Sequence, residues 1–177
     1  MMDWKDSWAT IDWSKEDGIA EKIQDLIKQG AEINVTDEYG NTPLMYAIKN
    51  ENLKAFEEIL SYPQDLNARN NWDRTALIRA AIVNNTKMVE MLLAREGINP
   101  DIQDKDGMTA LMFASLNDNQ HIVVDLEKAN ANLDITDENG FKALDWAINQ
   151  KSRRAAFAIR NPQSLMRAIQ IKGNGGR

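Results

Sequence analysis

The chain of 177 residues contains no cysteine and a single histidine, and both absences limit its chemistry. Without cysteine it can form no disulfide and can offer no thiolate to a metal ion. The lone histidine, His121, has no second imidazole with which to hold a metal or relay a proton. Glycine-rich loops of the kinds that cradle phosphate groups are also missing. The sequence therefore predicts no catalytic residues, no metal site and no cofactor.

Long apolar runs are absent as well. No stretch approaches the roughly 18 consecutive apolar residues that a membrane-spanning helix needs. The opening segment, MMDWKDSWATIDW, has neither the basic flank nor the apolar core of a secretory signal. These features predict a cytoplasmic protein that makes no contact with a membrane.

The net charge of −6 at pH 7 conceals two parts of opposite sign. Residues 1–141 carry 13 Lys or Arg against 26 Asp or Glu, whereas residues 142–177 carry 8 against 1, which gives balances of −13 and +7. The acidic body repels a phosphate backbone, so nucleic-acid binding through it is not expected. The basic end is interpreted either as pairing electrostatically with the acidic body of the same chain or as a separate patch that binds anions.

A sequence pattern of about 33 residues recurs along the chain. It places a glycine or aspartate in a polar turn at intervals of 33, 34 and 33 residues: Gly40, Asp73, Gly107 and Gly140. A leucine and then an alanine follow each turn in register: Leu44 and Ala47, Leu77 and Ala80, Leu111 and Ala114, Leu144 and Ala147. A polar turn followed by two short helical patterns at this period is typical of a stacked repeat array.

Two segments within this pattern, TPLMYA at 42–47 and TALMFA at 109–114, resemble the signature of the ankyrin repeat family. The resemblance implies an all-α solenoid of about five stacked helix-turn-helix units joined by hairpin-like loops. We expect one domain over 1–177, with units near 3–36, 37–69, 70–103, 104–136 and 137–162, followed by a C-terminal helix and flexible tail at 163–177.

Two departures from the repeat need an explanation. Asp73 replaces the turn glycine of the third unit, and aspartate is a tolerable substitute because it visits left-handed conformations more readily than most residues. Glu127 stands where the preceding units have Leu60 and Leu93. Either Glu127 lies at the solvent edge of its helix, or that helix is locally shifted.

Ankyrin arrays bind other proteins through the turn tips and the inner helices, which together line a concave face. The equivalent positions of this chain are therefore predicted to bind a partner. Many of them hold apolar residues, whereas a face exposed to solvent would be polar. They are Trp8, Tyr39, Asn41, Trp72, Arg74, Ile82, Met108, Leu116 and Phe141. A contiguous set of this kind favours interaction, and Trp, Tyr and Arg are the preferred hot-spot types. For Ile82 and Leu116, packing between neighbouring helices is the alternative interpretation.

The resemblance therefore implies a non-catalytic, monomeric module that docks on another protein as an inhibitor, an adaptor or a neutralising partner. We expect the contact to be centred on Trp72, with Arg74 pairing with a carboxylate of the partner. The alternative is an exported effector that binds host proteins and carries its signal in the basic C-terminus. Neither a nucleic acid, nor a membrane, nor a small-molecule cofactor is expected as a partner.

Overall fold

The computed structural model describes residues 7–160, and within this range the regular elements are helices. The C-terminal helix and tail expected at 163–177 lie outside the described residues. After a 3-10 turn (Trp8–Thr10), the helices are α1 (Ile19–Lys28), α2 (Pro43–Lys49), α3 (Leu53–Leu60), α4 (Ala76–Ile82), α5 (Thr86–Leu93), α6 (Ala110–Leu116), α7 (Gln120–Lys128), α8 (Ala143–Asn149) and α9 (Arg153–Arg160).

The helices pack as a stack of pairs. The inner helices α2, α4, α6 and α8 each contact the next along the array, and each also packs on the outer helix that follows it. We call a turn with its inner and outer helices a unit. This arrangement confirms the predicted all-α solenoid.

Threonine side chains start most of the inner helices. The Oγ1 atoms of Thr42, Thr75 and Thr109 accept hydrogen bonds from the backbone N–H three residues later, at 3.3 to 3.4 Å. Such caps satisfy donors that a helix start leaves unpaired. Helix α8 has Lys142 at this position, and the Asp145 carboxylate accepts a hydrogen bond from the Lys142 N–H at 2.9 Å instead.

The repeated leucines and alanines form the centre of the stack. Leu44, Leu77 and Leu111 are almost completely buried, whereas Leu144 in the last described unit is only half-buried. The repeated alanines have no exposed surface: Ala47, Ala80, Ala114 and Ala147. A unit in the middle is covered from both sides, and the last described unit is less completely covered.

The first unit replaces an inner α-helix with the 3-10 turn and two tryptophans. Trp8 is fully buried, and its Nε1 donates a hydrogen bond to the Glu32 carbonyl at 2.9 Å. Its ring stacks on Trp13, with centroids 6.3 Å apart, and Trp13 lies 5.6 Å from the ring of Tyr46. The prediction that Trp8 extends the exposed surface is therefore wrong, because its ring fills the core at the N-terminal end of the stack.

Backbone hydrogen bonds join the turns of successive units. An N–H of each later turn donates to a carbonyl of the preceding one: Asn71 to Tyr39 at 2.9 Å, Lys105 to Trp72 at 3.1 Å and Glu138 to Asp106 at 3.2 Å. The edge of the stack is thus a continuous series of bonded turns.

Each of these turns contains one residue with left-handed backbone. The φ angles are +74° at Gly40, +76° at Gly107, +79° at Gly140 and +58° at Asp73. The expected left-handed role of Asp73 is confirmed. A second left-handed position follows each inner helix and is never glycine: Glu51, Asn84, Asp118 and Lys151 have φ between +50° and +59°.

The turn glycines allow a matched test of the bonded turns. A Cβ added at Gly107 would lie 2.8 Å from the Glu138 nitrogen and 2.9 Å from the Asp137 Cα, whereas a Cβ at Gly140 would meet nothing within 4 Å. The backbone strain of alanine is the same at both positions. We expect Gly107→Ala to be less stable than Gly140→Ala by about 1–3 kcal/mol in urea unfolding, because only the first variant also overpacks. Equal losses would contradict close packing between turns.

The second left-handed position predicts stabilising variants. The Glu51 side chain is exposed, so Glu51→Gly should relieve strain and raise the free energy of unfolding by about 1 kcal/mol. Asp118 is the control, because its Oδ1 accepts hydrogen bonds from the N–H groups of Arg154 and Ala155 at 2.9 and 3.0 Å. Asp118→Gly should gain less or lose stability. Thermal and urea melts of both variants decide the point, and a destabilised Glu51→Gly would contradict the strain argument.

Candidate protein-binding surface

A polar side chain at the start of each turn holds the tip in place. In every described unit after the first, one oxygen of this side chain accepts hydrogen bonds from the backbone N–H groups two and four residues later, at 2.7 to 3.0 Å. The four residues are Asp37, Asn70, Asp104 and Asp137. Sequence reasoning missed this role, although an Asp or Asn three residues before each turn glycine or Asp73 was a readable signal.

Two tip residues, Tyr39 and Trp72, form a stacked and exposed pair. Their ring centroids are 6.0 Å apart with an interplanar angle of 22°, and the residues are 50% and 45% exposed. We call them the aromatic pair. The following units carry Asp106 and Asn139 at the same turn position, so the pair occupies only the first two of the four bonded turns.

Phe141 is a third exposed ring, 40% accessible, on the last described turn. It packs edge-on against Trp146, with centroids 6.0 Å apart and planes at 78°. One turn, 104–108, lies between its turn and the turn that carries Trp72. It therefore belongs to the same edge of the stack as the aromatic pair but is not part of it.

Besides Trp8, two of the predicted contact residues are buried and do not offer a surface. Asn41 is buried, and its Oδ1 accepts hydrogen bonds from Asn70 Nδ2 at 2.9 Å and Arg79 Nη2 at 2.8 Å. Met108 is only 8% exposed and belongs to the hydrophobic core. Both predictions of direct partner contact are corrected accordingly: these side chains join the turns to the core.

Arg74 is engaged within the protein. Its Nε donates to Asp104 Oδ2 at 2.9 Å, and the Asp104 side chain has no exposed surface. The guanidinium also lies over the ring of Phe113, 5.6 Å from its centroid. A buried carboxylate is costly unless it is paired, so this contact is structural. Arg74 is thus already paired within the protein, with 30% of its side chain exposed, and its contact with a partner's carboxylate stays a prediction.

The remaining predicted residues, Ile82 and Leu116, are half-buried at the ends of α4 and α6. Ile82 packs against the hydrophobic core, which agrees with the alternative interpretation that it serves packing between helices. Leu116 keeps part of its surface accessible at the equivalent position of the next unit.

A register of inner-helix residues, not predicted as contact positions, lies beside the turns. It consists of half-buried side chains at one repeated position: Tyr46, Arg79, Phe113 and Trp146. Tyr46 Oη donates to Asp37 Oδ2 at 2.8 Å, and Trp146 Nε1 donates to Asp137 Oδ2 at 3.1 Å. Burial and the hydrogen bond to Asp37 raise the pKa of Tyr46 to about 12. These residues brace the turns against the inner helices, and their shared spacing was the signal that could have identified them.

Glu127 fits neither of its two expected descriptions. Helix α7 keeps its register, because its N-cap Asn119 corresponds to the N-caps Asn52 and Asn85 of α3 and α5. Both carboxyl oxygens of Glu127 are nevertheless buried without a hydrogen-bond partner. Desolvation by this burial raises the pKa of Glu127 to about 7. The residue is thus a poorly accommodated carboxyl in a leucine position.

Paired short helices, bonded turns and a shared register of core residues define a helical repeat protein. A family model of ankyrin repeats, in three copies, matches residues 13–104 and 84–159. The chain belongs to the ankyrin repeat family. Ankyrin repeats are protein–protein interaction modules, and the family is generally a non-catalytic interaction scaffold. No curated protein matches the sequence significantly.

Within residues 7–160, none of the helices is long and apolar enough to cross a membrane. The same part of the chain contains no cluster of three or more His, Asp or Glu side chains suited to a metal ion.

The carboxyl of Glu127 predicts a pH-dependent loss of stability. Its pKa rises from 4.5 to about 7 on folding, so the folded state holds the proton more tightly than the unfolded state. Stability should therefore fall as pH rises from 4.5 towards 7, and the full penalty should apply above that range. After discounting for partial exposure, Glu127→Leu should gain about 1–2 kcal/mol more at pH 8 than at pH 4.5.

Urea unfolding of the parent protein, Glu127→Gln and Glu127→Leu at both pH values provides the measurement. Glu127→Gln controls for volume and polarity while removing the charge. Other carboxyl groups titrate alike in all three proteins and cancel in the differences. A gain that is the same at both pH values would contradict the buried, unpaired carboxyl.

Proposed function

We propose that this protein docks on another protein through the exposed edge of its bonded turns and the adjoining inner helices, centred on Trp72. The observation that carries the proposal is the aromatic pair: Tyr39 and Trp72 stack at 6.0 Å yet remain about half exposed. Large aromatic rings contribute much of the binding energy where they are covered by a partner.

Rigidity of the backbone beneath the rings supports this assignment. The Trp72 N–H donates to Asn70 Oδ1 at 2.9 Å, and its carbonyl accepts from the Lys105 N–H at 3.1 Å. The Tyr39 carbonyl is likewise bonded to the Asn71 N–H. Binding then orders few backbone torsions, and an interface with a preformed surface loses less conformational entropy on association.

We propose further that the protein acts by covering or bridging its partner's surface, as an inhibitor, adaptor or neutralising partner. The polar groups beside the aromatic pair are committed to internal contacts: Arg74 to Asp104, and Asn70 to the Trp72 and Arg74 N–H groups. These polar groups stabilise the turns, and the exposed rings provide the contacts with the partner.

Trp72→Ala tests this proposal. We expect it to weaken binding to the partner by about 2 kcal/mol or more, as for a central hot spot. The melting temperature should change little, because the side chain is 45% exposed and the backbone bonds of the turn are retained. The measurement is a calorimetric titration with a partner captured on the tagged protein and then purified, together with a thermal melt.

Phe157→Ala is the matched control, since Phe157 is 52% exposed but lies on the outer helix α9. It should leave affinity for the partner unchanged. A Trp72→Ala protein with unchanged affinity and lowered stability would make Trp72 a packing residue, and the proposed surface would have to be abandoned.

A further inference from the structure

The edge that carries the aromatic pair is strongly acidic. The four bonded turns, 37–41, 70–74, 104–108 and 137–141, together contain seven carboxylates and two cations, a balance of −5. One of the two cations, Arg74, is already paired with buried Asp104. The inner helices α2, α4, α6 and α8 carry two cations and one carboxylate, so the negative charge is concentrated at the turns.

Carboxylates lie next to the two rings along the chain. Glu38 precedes Tyr39 and is exposed. Asp73 follows Trp72, with 43% of its side chain exposed and its Oδ1 3.8 Å from Arg69 Nε. Asp106 occupies the tip of the next turn, with 74% of its side chain accessible and its Oδ2 3.9 Å from Arg74 Nη2. Exposed ion pairs of this kind are weak, so both carboxylates still attract a further cation. The ring faces are attractive to cations through their quadrupoles, and nearby carboxylates add to that attraction.

We propose that the aromatic pair binds an arginine or lysine side chain presented by a basic segment of the partner protein. This inference rests on the proposed function and specifies the chemistry of its partner. The cationic group stacks on the exposed ring face of Trp72 and Tyr39, and its charge is balanced by Glu38, Asp73 and Asp106. An arginine suits the site best, because its planar guanidinium stacks on aromatic faces and retains its charge.

Charge complementarity decides between this partner and others. A phosphorylated or otherwise acidic segment would be repelled by the turns, whose balance is −5. A purely apolar segment would use the rings but leave the net negative charge of the turns unmatched. A basic segment satisfies both features of the surface at once.

The test uses the full chain and short synthetic peptides in which arginines are separated by glycine and serine. Counterpart peptides carry glutamine or glutamate in place of every arginine. Binding is followed by heteronuclear NMR through the Trp72 indole N–H and the Tyr39 ring. We expect the arginine peptide to shift these resonances, with an affinity that falls as salt is added. The glutamine and glutamate peptides should bind much more weakly.

Variants separate ring recognition from general attraction between opposite charges. Trp72→Ala should lower affinity for the arginine peptide about fivefold or more, because it removes a cation–π contact without changing the charge. Trp72→Phe should retain most of the affinity. Phe141→Ala is the control. Phe141 is similarly exposed, and its turn carries two carboxylates and no cation, whereas the turn of Trp72 carries one of each. Removing this ring should change affinity less than twofold, because it is not part of the aromatic pair.

The cationic assignment is overturned if the arginine and glutamine peptides bind alike, or if Trp72→Ala and Phe141→Ala reduce affinity equally. If a purified partner depends on Trp72 while the arginine and glutamine peptides bind alike, only the chemistry of the partner is wrong and the proposed function stands. If the partner is indifferent to Trp72→Ala, the proposed function fails and this inference fails with it.

Discussion

A unit of two short helices cannot bury both of its faces, so every unit in this protein depends on contact with its neighbours. The effect is visible in residues that share one repeat position. Leu111 in the middle of the array is almost completely buried, whereas Leu144 in the last described unit is only half-buried. Ile48 has no exposed surface, but its counterpart Ile148 is 48% exposed. Burial is therefore a property of position in the stack as much as of the residue itself.

The same dependence governs the turns and the N-terminal end. A Cβ at Gly107 would collide with the following turn, whereas one at Gly140 would meet nothing within 4 Å. At the other end, Trp8 and Trp13 complete the core where the first unit has only a 3-10 turn in place of an inner helix. Two tryptophan rings bury a large area, so Trp8 and Trp13 can replace the apolar face that an inner helix would supply. The first unit thus completes its packing with residues different from those of the central units.

The repeat period made the all-α stack, the core leucines and the left-handed Asp73 predictable, because each depends on a position within the unit. It could not predict exposure at the turns. Met108 and Phe141 share one position, yet one is 8% and the other 40% exposed, since coverage depends on neighbouring units. The internal pairing of Arg74 could not be predicted for a related reason, because its partner Asp104 belongs to the next turn. Glu127 shows that a polar residue in a core register does not by itself reveal where its oxygens will lie.

The exposed rings of the proposed binding surface lie on two neighbouring turns. The rings of Tyr39 and Trp72 belong to neighbouring units, and their centroids lie 6.0 Å apart with an interplanar angle of 22°. The stacked rings therefore form one platform instead of two separate points. The backbone bonds that hold each turn involve main-chain atoms and the Asp or Asn side chain that starts it, and none of them uses the ring of Tyr39 or Trp72. In the proposed binding mode, these two ring positions can therefore vary with the partner while the turn backbone is retained, and the net negative charge of the turns favours a cationic partner.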